Sequence, residues 1–317
     1  MLVVGHLRVR LDIRLLPRRM AIMRWKNARQ SQNVDDRRGK HGGKSVMGGG
    51  IMVLLMALFA IFIQKKPVQQ VVQETMQRQQ QSGEQQLAYE PTPEEQELAA
   101  FTRVVLAYTE DVWKNIYPQM ALKYRGSRPQ YEEPVLVLFS GVTPTACGTG
   151  QAGMGPFYCP GDNQVYIDVS FFNELEEKFD APGDFAQAYV IAQEVGHHIQ
   201  NLLGISNQVQ SQRQRLSKEA YNRLSVKQEL QADYLAGVWA HHTQRQFDVL
   251  QRGDIEEGIR AAMAVGDDTI QRKATGRVVP ENFTHGSSEQ RIRWFTMGLR
   301  SGDPVAHSPF ELDDQQL

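Results

Sequence analysis

Cysteine is almost missing from this chain: there are two in 317 residues. So few exclude a disulfide-built scaffold or a cysteine-ligated cluster, and the pair, Cys147 and Cys159, lacks the C-x-x-C spacing of a redox or metal site. Excess charge of either sign is missing too. The formal net charge is −1, which argues against a protein built around nucleic acid. Internal repeats are absent, so a solenoid is excluded. Long apolar runs are absent with one exception. Val46–Ile63 is 18 residues without a charge, about 27 Å as a helix, just enough for a hydrocarbon core.

That run divides the charge of the chain. Residues 1–46 hold 12 Lys/Arg against 3 Asp/Glu, which leaves 23 against 33 for the rest. A basic head before an acidic body suggests a chain divided by a membrane. The basic region is too long for a cleaved signal peptide, and Gln64-Lys-Lys-Pro67 offers no small-residue cleavage site, so 46–63 reads as a single transmembrane anchor. Arg37, Arg38, Lys40 and Lys44 outweigh Lys65 and Lys66. The N-terminus is therefore expected in the cytoplasm, with the main domain on the periplasmic side of the inner membrane. Disulfides persist there, and a Cys147–Cys159 bridge would contribute about 3 kcal/mol on the chain-entropy estimate. Two free structural cysteines are the other reading.

Around the anchor the chain divides further. Residues 1–45 form a basic cytoplasmic tail, polar and disordered from residue 27. Its first 22 residues read as an overextended start, with Met23-Arg-Trp-Lys26 as the natural beginning. Residues 64–91 are a Gln-rich tether. The folded domain spans 92–305 and a short tail spans 306–317. Thr92, Pro93 and Glu95 mark a helix start, and Leu98, Phe101, Val104, Val105, Tyr108, Val112 and Trp113 follow at helical spacing. Pro134–Phe139 reads as a buried strand. Pro156–Cys159 and Gln164–Asp168 flank a Pro-Gly-Asp-Asn turn as a hairpin, whose edge could take an extended peptide by strand addition. Further helices are expected at 171–179, from an Asp184 N-cap to about Leu203, and at 217–242, 254–265 and 287–299. The class is α+β, mainly helical, with a small sheet.

Two stretches carry chemistry. Tyr189–Leu203 is a buried helix that nearly spells H-E-x-x-H, in which two histidines four apart hold a metal and the Glu beside the first acts on the metal-bound water. Glu194 and His197 stand in place, but Gln193 occupies the position of the first histidine. His198 points about 100° away from His197 and cannot readily replace it. The second stretch is Glu229-Leu-Gln-Ala-Asp233, two carboxylates four apart in an apolar helical pattern. Their burial needs a cation or strong hydrogen bonds. A metal reached by Glu229, with Asp233 steadying another ligand, would meet that need.

With these motifs the chain resembles the bacterial neutral zinc metallopeptidases, a membrane-anchored, zincin-like family. The likeness covers about Met23 to Asp303. It includes Asn33-Val-Asp-Asp-Arg-Arg38, Met154-Gly-Pro-Phe-Tyr-Cys-Pro160, Glu194-Val-Gly-His-His198, Glu229–Asp233, Gly266-Asp-Asp268 and Phe283-Thr-His-Gly286. The resemblance implies zinc as cofactor, peptides or proteins as substrates, His197 and Glu229 as ligands, Glu194 as general base and Asp233 as the carboxylate behind a ligand. His285 becomes the candidate donor to the oxyanion. Gln193 departs from the pattern. Its amide offers only a neutral carbonyl oxygen, which suits harder ions better than zinc. Two readings follow: a membrane-anchored metallopeptidase that hydrolyses peptide bonds through a metal-activated water, or a weak or inactive relative that binds peptides or scaffolds a partner at the membrane.

Overall fold

Thr92 and Glu95 start the first long helix as their spacing predicts. Thr92 Oγ1 accepts from the Glu95 amide at 3.2 Å and Glu95 Oε2 accepts from the Thr92 amide at 2.8 Å, which satisfies two orphan donors of the first turn. In the computed structural model, which describes residues 23–39, 89–124 and 126–317, this helix, α1, runs Pro93–Lys123. It buries Phe101, Val104, Val105, Val112 and Trp113. The anchor expected at 46–63, the tether as far as residue 88 and residues 1–22 lie outside the described residues. Among the described residues no helix is long and apolar enough to cross a membrane.

Four strands form the main sheet: β1 (Val34–Asp36), β2 (Val135–Phe139), β5 (Phe157–Cys159) and β6 (Gln164–Asp168). Their order is β1-β2-β6-β5. The first three run parallel, while β5 and β6 are the antiparallel hairpin the turn residues predict, with Tyr158 opposite Val165. Asn163 takes φ 58° in that turn, a conformation Asn tolerates better than most residues. Between β2 and β5 the Gly-rich stretch makes a second hairpin, β3 (Val142–Thr145) with β4 (Gly148–Gln151). The Cys147–Cys159 disulfide, Cα–Cα 5.8 Å, ties that hairpin to β5.

The remaining elements are helices: α2 (Ser170–Glu177), α3 (Asp184–Leu202), α4 (Ile205–Ser211), α5 (Lys218–Phe247), α6 (Asp254–Ala264), α7 (Asp267–Thr275) and α8 (Ser288–Ser301). Ser217 caps α5, and Ser287 with Gln290 forms a capping box on α8. Asp184 does not cap α3 as expected. Gly183 holds the cap position at φ 115°, and the carboxylate of Glu257 accepts from the Phe185 amide at 3.2 Å instead. The layers meet where side chains are smallest. A Cβ on Gly196 would lie 3.0 Å from the Ala232 carbonyl oxygen, and one on Gly237 would lie 2.1 Å from that of Phe295. Glycine thus sets the spacing of α3 against α5 and of α5 against α8.

Residues 23–39 overturn the expectation of a disordered tail. Met23 and Trp25 are buried, with Trp25 edge-on to Phe101 at 5.4 Å. The Ser31 amide donates to the Arg103 carbonyl at 3.0 Å and the Arg37 amide to that of Leu138 at 2.7 Å. Glu110, 3 % exposed, collects Ser31 Oγ, Asn33 Nδ2 at 2.9 Å and Arg29 Nη1 at 2.9 Å. Arg37 and Arg38 pair with Asp35 and Asp36. The charges that made this stretch read as solvated are thus mostly partnered inside the fold. The C-terminal stretch is folded as well, with Lys227 Nζ donating to the Leu312 carbonyl at 2.7 Å. Replacing Glu110 with Ala leaves the buried Ser31 hydroxyl without its acceptor and takes one bond each from Asn33 and Arg29. It should lower unfolding free energy by about 2–3 kcal/mol, read from the urea midpoint.

Candidate metal centre

The close approach at Gly196 brings α5 against the polar face of α3. There His197 Nε2 lies 3.4 Å from Glu229 Oε2. Gln193, one turn before His197, closes the triangle: its Nε2 is 3.0 Å from Glu229 Oε2 and 2.9 Å from His197 Nε2. With the Gln193 NH2 turned towards Glu229, the neutral form of His197 accepts at Nε2. The other ring nitrogen agrees, because Nδ1 meets Gln200 Oε1 at 2.9 Å. Gln200 is oriented in turn by donating to the Gln228 carbonyl at 2.7 Å and to Gln231 Oε1 at 3.0 Å. In its neutral form His197 is therefore held with its Nε2 lone pair aimed at the point where a metal would be bound.

Charge adds a competitor for that lone pair. Burial opposes protonation of His197, but Glu229 and Glu194 outweigh it and raise its pKa to about 9. Burial likewise works against the Glu229 carboxylate, and His197 overrides it to bring its pKa to about 2. Glu194, 7 % exposed, is pushed up to about 7 by burial and by Glu229, against the pull of His197. It lines the same cleft as Gln193, His197, Glu229 and His285, a cavity of about 660 Å³ that reaches Tyr158 on β5. His285 is half-exposed and held by Asp267, whose Oδ1 lies 3.2 Å from Nδ1 and whose Oδ2 accepts the His285 amide at 2.6 Å. That carboxylate raises the His285 pKa against burial. His198 faces away. It sits between Tyr158 Oη at 3.0 Å and the Glu132 carbonyl at 2.7 Å, and burial lowers its pKa to about 4.

Asp233 lies behind the cleft. It is fully buried, and its hydrogen bonds go to Tyr189 Oη at 2.5 Å and to Arg291 Nε and Nη2 at 2.8 and 2.9 Å rather than to Gln193. The bidentate carboxylate offsets the cost of burial and holds the guanidinium well above its ordinary pKa. Arg291, Tyr189, Gln200 and Asp267 were not found from the sequence. A buried carboxylate at 233 implies a cation somewhere, and Arg291 sits at a core position of a predicted helix. Its partner is 58 residues away in the chain, which spacing alone does not reveal.

A family model described as "Putative neutral zinc metallopeptidase" matches residues 23–310. The chain belongs to this family. It is 46% identical over 305 residues to the Escherichia coli K12 protein titled "Uncharacterized protein YpfJ", covering 91% of this chain and 99% of that one. A Mycobacterium bovis protein, "Uncharacterized protein Mb2605", is 43% identical over 196 residues, covering 59% of this chain and 65% of its own length. No solved structure matches the chain significantly. Zinc is the metal this family implies, and the residues present fit it poorly. His197 and Glu229 converge as two good donors, but the third corner holds an amide NH2 that is bonded to both of them and has no lone pair to offer.

Breaking the pair behind the site should be costly. Arg291→Met leaves Asp233 buried without its cation, and an unfolding titration should show a loss of about 3–5 kcal/mol.

Proposed function

We propose that this metallopeptidase-family protein binds an extended peptide in the Gln193–His285 cleft and hydrolyses it weakly, because Gln193 occupies the metal position. The observation that carries this reading is the Gln193 amide nitrogen, within 3.0 Å of both remaining ligands. To bind there, a metal must displace or turn that amide and compete with a proton at His197.

Peptide binding rests on the sheet edge. β5 is the terminal strand of the sheet, and its Phe157 and Tyr158 line the cleft beside the α3 residues. An extended chain laid along that edge gains main-chain hydrogen bonds, and the cleft receives its alternate side chains. A carbonyl so held could accept from His285, which Asp267 orients. Glu194, with a pKa of about 7, can take or release a proton on a water at neutral pH. Full metal-dependent hydrolysis is the second reading. It draws on the retention of Glu194, His197 and Glu229 in one cleft.

The two readings separate on one variant. Dialysed protein should carry less than about 0.1 zinc per chain, while Gln193→His should approach one per chain and cleave an unfolded protein at least about 100-fold faster. Stoichiometric zinc in the unaltered protein, lost on His197→Ala, would overturn the weak-binding claim. A fluorescent extended peptide should bind the unaltered protein and Glu194→Gln alike, since that change does not touch the β5 edge.

Membrane attachment through residues 46–63 is part of the proposal, with one change from the sequence-based expectation. Residues 23–39 and 89–317 share one sheet, so we take them to lie on the same face of the bilayer. Cysteines introduced at Gln32 and Glu219, both exposed, should react equally with a membrane-impermeant thiol reagent in intact spheroplasts. Labelling of one without the other would restore a span that separates tail from domain.

A further inference from the structure

At the far end of the metal helix three carboxylates converge without a cation. Asp184 opens α3, while Asp254 and Glu257 lie in the first turn of α6. One oxygen from each lies within 4.8 Å of the others. Asp254 is 0 % exposed and Glu257 is 2 % exposed. The hydrogen bonds available account for only part of this charge. Asp254 Oδ2 accepts from the Gln251 amide at 2.7 Å and Glu257 Oε2 from the Phe185 amide at 3.2 Å. Asp254 Oδ1 and both oxygens of Asp184 are shielded from solvent with no partner. Arg260, the basic side chain that acts on Glu257, does so through space. Three carboxylates packed this way cannot all be ionised without a positive charge between them.

Besides the Gln251 amide, a group from the stretch before α1 reaches the cluster. The backbone nitrogen of Met23 comes near enough to Asp184 to lower its pKa, though not in the geometry of an ordinary hydrogen bond. Met23 itself is 2 % exposed, and the next amide, Arg24, is fixed at 2.8 Å on the Val249 carbonyl. Residue 23 is also where the family match begins. In a longer chain this nitrogen is an amide with one N–H and no charge. In a chain whose first residue is Met23 it is an α-ammonium with three donors, charged below a pKa of about 8.

We propose that Asp184, Asp254 and Glu257 form a buried cation site, filled by the α-ammonium group of a chain that begins at Met23. The amino terminus would then anchor the first turn of the helix that carries Glu194 and His197. A divalent ion is the other source of the same charge, since three carboxylates suit a hard cation.

The test compares the 317-residue chain with one begun at Met23, its free terminus verified by intact mass. An amine-selective reagent at pH 7 should modify the α-amine of Met23 about 100-fold more slowly in the folded protein than in urea, equivalent to a pKa raised by about two units. The Met23 chain should melt several degrees higher than the longer one, and in both Asp254→Asn and Glu257→Gln that difference should shrink by more than half. An amine that reacts as fast folded as unfolded, with equal melting temperatures for the two chains, would overturn the proposal. A reactive amine combined with saturable stabilisation by calcium, magnesium or manganese, lost in Asp254→Asn, would overturn the ammonium and assign the site to a metal.

Discussion

The crossing of α3 over α5 at Gly196 is the constraint on which the rest of the structure depends. With 3.0 Å between a would-be Cβ and the Ala232 carbonyl oxygen, no larger residue lets the two helices meet at this distance. Everything polar in the cleft follows from that approach. It sets Glu229 opposite His197, brings Gln200 under the imidazole against Gln228 and Gln231, and leaves Asp233 facing Arg291 on the next layer. The convergence of His197 and Glu229 is thus a property of backbone packing as much as of the side chains themselves. This explains how its shape survives when one ligand is replaced.

The survival has a second cause in the hydrogen-bond network. Buried polar groups are costly unless all are satisfied. Gln193 gives up a metal donor, but its amide satisfies Glu229 and His197 at once. Behind it, Asp233, Tyr189 and Arg291 satisfy one another without reference to the ligand triangle. The polar groups around Gln193 and those around Asp233 are therefore each satisfied within their own set.

Much of this was legible in the sequence, and the reasons differ by element. Thr92, Ser217 and Ser287 each cap the helix they were read to start, because a cap is a local interaction between neighbours in the chain. The β5–β6 hairpin was readable from its turn residues, and the spacing of Glu194, His197, Glu229 and Asp233 put them on the right helices. The strand β1 was not readable. Val34-Asp-Asp36 is short and charged, and what makes it a strand is parallel pairing with β2 about a hundred residues later, together with arginines that neutralise Asp35 and Asp36. Helices α4 and α7 are short and polar for the same reason: their stability comes from tertiary contacts, not periodicity. The role of Arg291 was hidden likewise, since a bidentate pair across 58 residues leaves no trace in local spacing.

Gln193 has a consequence beyond the chemistry of this one chain. Glutamine and histidine codons differ only in their third base, so the form described here and a form with a complete H-E-x-x-H are separated by one nucleotide. Because the surrounding helices already hold His197 and Glu229 in place, that step need carry no compensating change. A single base thus decides whether the third corner of the triangle carries an imidazole or an amide, with the scaffold around it unchanged.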